Sequence, residues 1–184
     1  MTIASEREIT MKLTWFGGPT FRIHIGGQMI VTGAGAVPEG VDPIELVSGA
    51  DRVVDADGLP TVALGTWRPR RVGRLIEADE AEPTVGIWRA DEAVLIEAAG
   101  EPPLVLAGAT APALGRWGSD AMMVLWGAGA EVIAAGRDVL EAGPVKLLAL
   151  GLAEDDRDAA FAALVPLLDG SGMTALEPRL ALEI

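Results

Sequence analysis

The sequence has 184 residues and a formal net charge of −13, with half of its residues hydrophobic and 22% charged. This length suits one domain with a substantial core, and no stretch approaches the roughly 18–20 uninterrupted apolar residues of a membrane-spanning helix. The acidic balance argues against a nucleic-acid partner, because phosphate binding needs a basic surface. Cysteine is absent, which removes disulfides and thiolate chemistry from consideration.

The first residues carry neither the basic start nor the apolar core of a signal peptide. Residues 1–10 are therefore predicted to be a short N-terminal extension. Residues 11–184 are predicted to be a single domain, because neither a repeat nor a long linker divides them. Together with the absence of cysteine, these features favour a cytoplasmic protein without membrane insertion.

The first half of the domain is predicted to be a series of short strands joined by glycine- and proline-rich turns. Gly26-Gly27 predicts a tight hairpin turn, since glycine tolerates the positive φ angles that such turns require. Asp57-Gly58 and residues 90–92 predict two further turns. The predicted strands are residues 11–15, 20–25, 28–32, 52–55, 61–64, 84–89, 93–97 and 104–107.

The second half changes to an alternation of apolar strands and helices. Residues 130–142 and 154–168 predict helices, and the second helix is expected to end or distort at Pro166, which lacks a backbone N–H. Residues 122–126 form a continuous apolar run, which suits a strand covered on both faces. The predicted strands are residues 122–126, 145–150 and, at a sheet edge, 179–184.

Residues 11–25 read MKLTWFGGPTFRIHI. This stretch resembles the opening strands of the metallo-β-lactamase superfamily, in particular its lactonase-like branch, where a Gly-His-Ala triplet usually separates two strands. The triplet here is Gly17-Gly18-Pro19. Weaker similarity follows around residues 104–113 and 145–151. The resemblance implies an α/β fold: a four-layer αββα-type sandwich of two mixed β-sheets flanked by helices, truncated relative to the family.

The metal ligands of that family are missing at each position that the resemblance matches. Gly18 replaces the histidine of the opening triplet, and the loop that should carry histidines after an early strand offers Asp55 and Asp57 without an imidazole. Ala109 stands where the family has a bridging aspartate, and Gly151 stands where it has its last metal histidine. These positions are interpreted as a degenerate former site. Neither a metal nor another cofactor is predicted, and zinc-dependent hydrolysis is not expected.

Other chemistries are weighed on the residues themselves. His24, the one histidine of the chain, alternates with Ile23 and Ile25 on a predicted strand and is interpreted as a surface or structural residue. The two aspartates could hold a hard cation with further carboxylates, but aspartate beside glycine is ordinary turn chemistry. Gly127-Ala128-Gly129 begins a dinucleotide-binding fingerprint, yet Val132 replaces its third glycine. No serine lies in a Gly-x-Ser-x-Gly elbow, so no hydroxyl nucleophile is assigned.

Five tryptophans stand beside three phenylalanines and no tyrosine. Trp15 and Trp126 lie in apolar strands and are predicted to be core anchors. Two other tryptophans lie in predicted loops, where an exposed ring would mark a protein interface and a buried ring would fold over the core. The arginines that follow one of them can pair with carboxylates or phosphates, and a solvated loop is the alternative. The candidate interface residues are Trp67, Arg68, Arg70, Arg71 and Trp117.

The sequence therefore predicts a non-catalytic metallo-β-lactamase-like domain, a pseudoenzyme that binds another protein or serves as an accessory subunit of a larger assembly. Two alternatives stay open. One is a metal-independent hydrolase, and the other is a small-molecule binder, including a nucleotide binder, that uses the vacated cleft.

Overall fold

The computed structural model describes residues 11–70 and 85–184. The predicted extension over residues 1–10, the candidate interface residue Arg71 and the first residue of the strand predicted at 84–89 lie outside the described residues. Within these residues, two β-sheets pack face to face, and helices lie on their outer faces.

The first sheet, sheet A, contains five strands: β1 (Lys12–Gly17), β2 (Thr20–Ile25), β3 (Gln28–Thr32), β4 (Arg52–Val54) and β11 (Ala181–Glu183). Their order across the sheet is β11-β1-β2-β3-β4. Neighbouring strands are antiparallel except for β3 and β4, which are parallel. Gly26 and Gly27 join β2 to β3 with φ angles of 56° and 75°, which confirms the predicted tight turn.

The second sheet, sheet B, contains six strands: β5 (Gly86–Ala90), β6 (Ala93–Glu97), β7 (Leu104–Leu106), β8 (Met122–Trp126), β9 (Leu147–Gly151) and β10 (Gly172–Ala175). Their order is β10-β9-β8-β7-β6-β5. The strands from β7 to β10 are parallel, whereas β5, β6 and β7 form an antiparallel meander. Both sheets are therefore mixed, as predicted.

The helices cover the two sheets unequally. They are α1 (Pro43–Val47), α2 (Gly129–Ala142) and α3 (Glu154–Leu164). The two longer helices pack on the outer face of sheet B, where Val132, Leu140 and Leu164 join the buried side chains of that sheet. On the side of sheet A, the described residues supply α1, whose Leu46 carbonyl accepts a hydrogen bond from the Arg22 Nε at 3.2 Å. None of the described helices has the length and apolar character needed to cross a bilayer.

A continuous apolar layer fills the space between the sheets. It includes the buried side chains of Leu13, Trp15, Phe21, Ile23, Ile25, Ile30, Ile96, Leu104, Met122 and Val124. On β2, Ile23 and Ile25 face this layer, and His24 between them is exposed, which confirms the predicted alternation. A polar contact also links the sheets: the Glu101 carboxylate accepts the Gly26 N–H at 2.6 Å, and burial raises the pKa of Glu101 despite that bond.

Several predicted elements differ from the structure. Residues 61–64 do not form a strand, because the chain makes a single parallel bridge from Thr61 to Arg89 and then turns, with the Ala63 carbonyl accepting the Trp67 N–H. The predicted strand at 145–150 begins at Leu147, since the Val145 N–H donates to the Ser171 hydroxyl.

The last part of the chain holds two further differences. The helix predicted at 154–168 ends at Leu164 and continues as a 3-10 turn, because Pro166 cannot donate a backbone hydrogen bond, as the sequence indicated. Strand β10 was not predicted. The edge strand near the C-terminus is present as β11 and pairs with β1.

Candidate functional site

The positions interpreted as a degenerate metal site lie near one edge of the sandwich, which we call the site edge. Strands β7, β8 and β9 are parallel, so the loops that follow them emerge together. Ala109 lies in the first of these loops, and Gly151 is the last residue of β9. At the end of β8, Gly127 donates its N–H to the Gly151 carbonyl at 3.2 Å, and a Cβ built on Gly127 would lie 3.3 Å from the Cβ of Ala109.

Two tryptophans occupy the centre of the site edge. The Trp15 indole Nε1 donates to the carbonyl of Gly18 at 3.0 Å. A Cβ built on Gly151 would lie 2.9 Å from the Trp15 ring and 3.2 Å from the Cβ of Trp126. Trp126 in turn packs edge to face on Phe21, with ring centroids 5.3 Å apart. The Trp15 indole therefore lies beside both glycines: it donates a hydrogen bond to the Gly18 carbonyl and fills the space into which a side chain at Gly151 would project.

The two aspartates occupy different surroundings. Asp55 lines a cavity of about 230 Å³, the edge cleft, whose walls include Val54, Leu106 and Trp126. Asp57 does not line this cleft. Its carboxylate is exposed and lies 3.7 Å from the guanidinium of Arg89. The structure thus brings Gly18, Ala109 and Gly151 together around the tryptophans, with Asp55 beside Trp126, and leaves Asp57 in a surface turn.

The residues at the site edge do not fit a zinc centre. Zinc is held by several nitrogen, sulfur or carboxylate donors that converge at about 2.0–2.3 Å. In the described part of the chain, no group of three or more His, Cys, Asp or Glu side chains is placed to hold a metal ion. Asp55 and Glu92 are the acidic residues that line the edge cleft; both are exposed, and the other lining residues include the Trp126 indole and apolar side chains. Residues 11–70 and 85–184 therefore contain no ligand set for a dinuclear zinc centre.

The Gly-x-Gly turn after β8 serves helix packing. A Cβ on Gly129 would lie 2.7 Å from a carboxylate oxygen of Asp156, which belongs to the first turn of α3. A carboxylate therefore stands against the N-terminus of α2, where a dinucleotide phosphate would have to bind. An anion there would be repelled by Asp156, so the local charge opposes the nucleotide alternative.

The described serine hydroxyls and the His24 imidazole do not form a serine–histidine pair. His24 is exposed on β2, where its strand partners are Lys12 and Met29. The Ser171 hydroxyl is buried and accepts the Val145 N–H at 3.0 Å, and the Ser119 hydroxyl donates to the Arg116 carbonyl. These contacts give Ser119 and Ser171 structural roles, and among the described contacts neither hydroxyl is hydrogen-bonded to His24.

The candidate interface residues around Trp67 form a second feature, which we call the tryptophan cleft. Its volume is about 600 Å³, and Trp67, Arg68 and Arg70 lie on one wall, with Arg116 and Trp117 on the other. The Trp67 ring packs against the rings of Trp117 and Trp88 at centroid distances of 4.7 and 5.9 Å.

The members of the tryptophan cleft differ in exposure. Trp117 is 7% exposed and donates its indole N–H to the Leu64 carbonyl at 2.8 Å, so it folds over the core and is not an exposed anchor. Trp67 is partly exposed. Arg70 binds the buried carboxylate of Glu97 through its Nε at 2.7 Å, while Arg68 and Arg116 are exposed.

Sequence reasoning missed three contributors to these two sites. Arg116 is adjacent to Trp117 in the sequence, and Arg68 is adjacent to Trp67. This repeated pairing of tryptophan with arginine was the sequence signal that could have added Arg116 to the candidate interface. Glu92 enters the edge cleft from the β5–β6 turn, and Asp156 reaches α2 from α3. Both of these placements depend on contacts that are distant in the chain and leave no local pattern.

Two solved structures are similar to this chain. A protein from Thermotoga maritima, described as a Zn-dependent hydrolase of the metallo-β-lactamase superfamily, matches 91% of this chain and 99% of its own, with a TM-score of 0.51 and 14% identity. A metallo hydrolase from the archaeon Ignicoccus hospitalis matches 95% of this chain and 98% of its own, with a TM-score of 0.45 and 10% identity. No family model and no curated protein matches the sequence. The first likeness shows that this chain has the metallo-β-lactamase fold.

Proposed function

We propose that this protein is a non-catalytic domain of metallo-β-lactamase fold that acts as a protein-interaction module or accessory subunit. The loss of donors at the site edge supports the non-catalytic part. The chain has one histidine, which is exposed on β2 of sheet A, and the Trp15 ring fills the space into which a side chain at Gly151 would project.

The tryptophan cleft supports the interaction part and is the observation that carries the proposal. Trp67 presents a partly exposed indole, and Arg68 and Arg116 flank it. Tryptophan and arginine are the residue types that most often dominate binding energy at protein interfaces. Trp88 and Trp117 support the Trp67 ring from behind, so the ring is held in place before a partner arrives.

The charge of the cleft indicates the chemistry of the partner. The whole chain carries a net charge of −13, yet the walls of the tryptophan cleft bring together Asp120 and three arginines, of which Arg70 is paired with Glu97 while Arg68 and Arg116 are exposed. Guanidinium groups match carboxylates in bidentate geometry. We therefore expect the partner to present an acidic segment with an apolar side chain that packs on Trp67.

The test is a comparison of charge reversals in the full chain. The protein and its Arg68→Glu/Arg116→Glu variant are used to purify partners from the native host, and each partner found is then titrated as a pure protein. We expect one partner to bind the unaltered protein and to lose at least about tenfold in affinity with the variant, because two arginine–carboxylate contacts become repulsive.

The control is Arg137→Glu, which reverses the charge of an exposed arginine of α2 that does not line the cleft. This variant is expected to retain the affinity of the unaltered protein. If the cleft and control variants lose affinity for the partner equally, the loss is explained by net charge alone, and this result would contradict docking at the tryptophan cleft. A protein that binds no partner in either form would contradict the interaction proposal itself.

A further inference from the structure

The edge cleft combines an apolar interior with an acidic rim. Its walls include Val54, Val94, Leu106 and the Trp126 indole. Asp55 and Glu92 line it from opposite sheets, since Asp55 follows β4 of sheet A and Glu92 lies in the β5–β6 turn of sheet B. No lysine, arginine or histidine is among the described residues that line it.

The two carboxylates of the rim are exposed. Among the described residues, neither Asp55 nor Glu92 makes an ion pair, and neither side chain accepts a hydrogen bond, whereas the neighbouring Asp57 faces Arg89. Both carboxylates are therefore available to a bound group. Without a third donor they do not form a metal site, because hard cations take six or more oxygen ligands.

We propose that the edge cleft binds a small organic cation, namely an ammonium group carried on a compact aromatic or aliphatic body. The apolar walls favour a hydrocarbon body, and the rim carboxylates favour a positive charge and repel anions. Indole is the aromatic side chain that attracts a cation most strongly when the cation lies over its face, and Trp126 lines the cavity.

The size of the cavity limits the ligand. A cavity of about 150 Å³ is enough for benzene, so the 230 Å³ of the edge cleft fits one ring with a short ammonium-bearing chain. This inference goes beyond the proposed protein interaction and uses a different surface. Docking at the tryptophan cleft can therefore fail while cation binding succeeds, and the reverse also holds.

The experiment uses three probes of similar shape and different charge. 2-Phenylethylammonium, 2-phenylethanol and phenylacetate are titrated into the full chain, and amide chemical shifts are followed by NMR. We expect the ammonium probe to saturate with a Kd of about 1 mM or less, the alcohol to bind about fivefold more weakly, and the carboxylate not to bind. The shifts are expected at Gly33, Ala36 and Ala56, whose residues line the cleft.

Matched variants assign the charge effect to the rim. Asp55→Asn/Glu92→Gln is expected to weaken ammonium binding about fivefold, to the level of the alcohol, whereas Asp57→Asn is expected to leave it unchanged. Circular dichroism checks that each variant is folded. Equal binding of the ammonium and alcohol probes, shifts that map to another surface, or no saturation by the ammonium probe would each overturn the proposal. An equal loss in the Asp57→Asn variant would also overturn it.

Discussion

Gly151 shows how one of the predicted former-site positions is filled by packing. It is the last residue of β9, and the family resemblance places a metal histidine at this position. In the structure, the Trp15 ring fills the space into which a side chain at 151 would project, and the Trp15 Nε1 is fixed by the Gly18 carbonyl. The change at 151 is therefore coupled to an aromatic side chain on another sheet. Restoring the histidine alone would not restore a ligand.

A pair of substitutions tests this packing. Gly151→Ala is expected to lower the free energy of unfolding by about 1–3 kcal/mol, because its Cβ would lie 2.9 Å from a ring that is 7% exposed and cannot move into solvent without loss of core contacts. Gly18→Asn is the control. Gly18 has a φ of 50°, which asparagine tolerates, and nothing lies within 4 Å of its Cβ position, so a cost below about 1 kcal/mol is expected. Urea unfolding measures both, and equal small losses would show that Trp15 does not fill this space.

At the scale of elements, the sequence predicts what local patterns encode. Residues 122–126 form a strand because five apolar residues in a row suit a strand buried on both faces, and β2 follows from strict alternation. Strand β10 was missed because its residues are half-buried without clear alternation, and only its long-range pairing with β9 makes it a strand. Likewise, the candidate former-site positions were predicted from short motifs, whereas the packing of Trp15 and Trp126 around Gly151 depends on the tertiary fold.

The contact between α2 and α3 also depends on the tertiary fold, and substitutions at Gly129 and Asp156 can test it. Gly129→Ala is expected to destabilise the protein by about 1–3 kcal/mol, because its Cβ would meet the Asp156 carboxylate at 2.7 Å. In an Asp156→Ala background, the same change is expected to cost at least about 1 kcal/mol less, since the opposing carboxylate is gone. A double-mutant cycle from urea unfolding gives this coupling. Additive effects would show that Gly129 does not serve the packing of the two helices.

For the molecule as a whole, two apolar layers dominate the packing of the described residues. One layer lies between the sheets, and the other lies between sheet B and helices α2 and α3. Sheet A is covered more sparsely among the described residues, and its outer face uses polar contacts such as the 2.7 Å ion pair between Lys12 and Glu183. We therefore expect the described fold to be stabilised chiefly by apolar burial.

This dependence on apolar burial predicts how the molecule responds to metal. Thermal unfolding is expected at the same midpoint, within about 1 °C, in chelator, in buffer and with a slight excess of zinc. With free zinc at 100 times the Kd of a native site, binding would add about 2.7 kcal/mol to the free energy of unfolding. Each kcal/mol moves the unfolding midpoint of a chain of this size by about 2–4 °C. A rise of about 5–10 °C with zinc, or near-stoichiometric zinc in protein purified without chelator, would contradict the loss of the metal centre. Calcium serves as the control, because a rise common to both ions would point to general screening of the −13 net charge and not to a site.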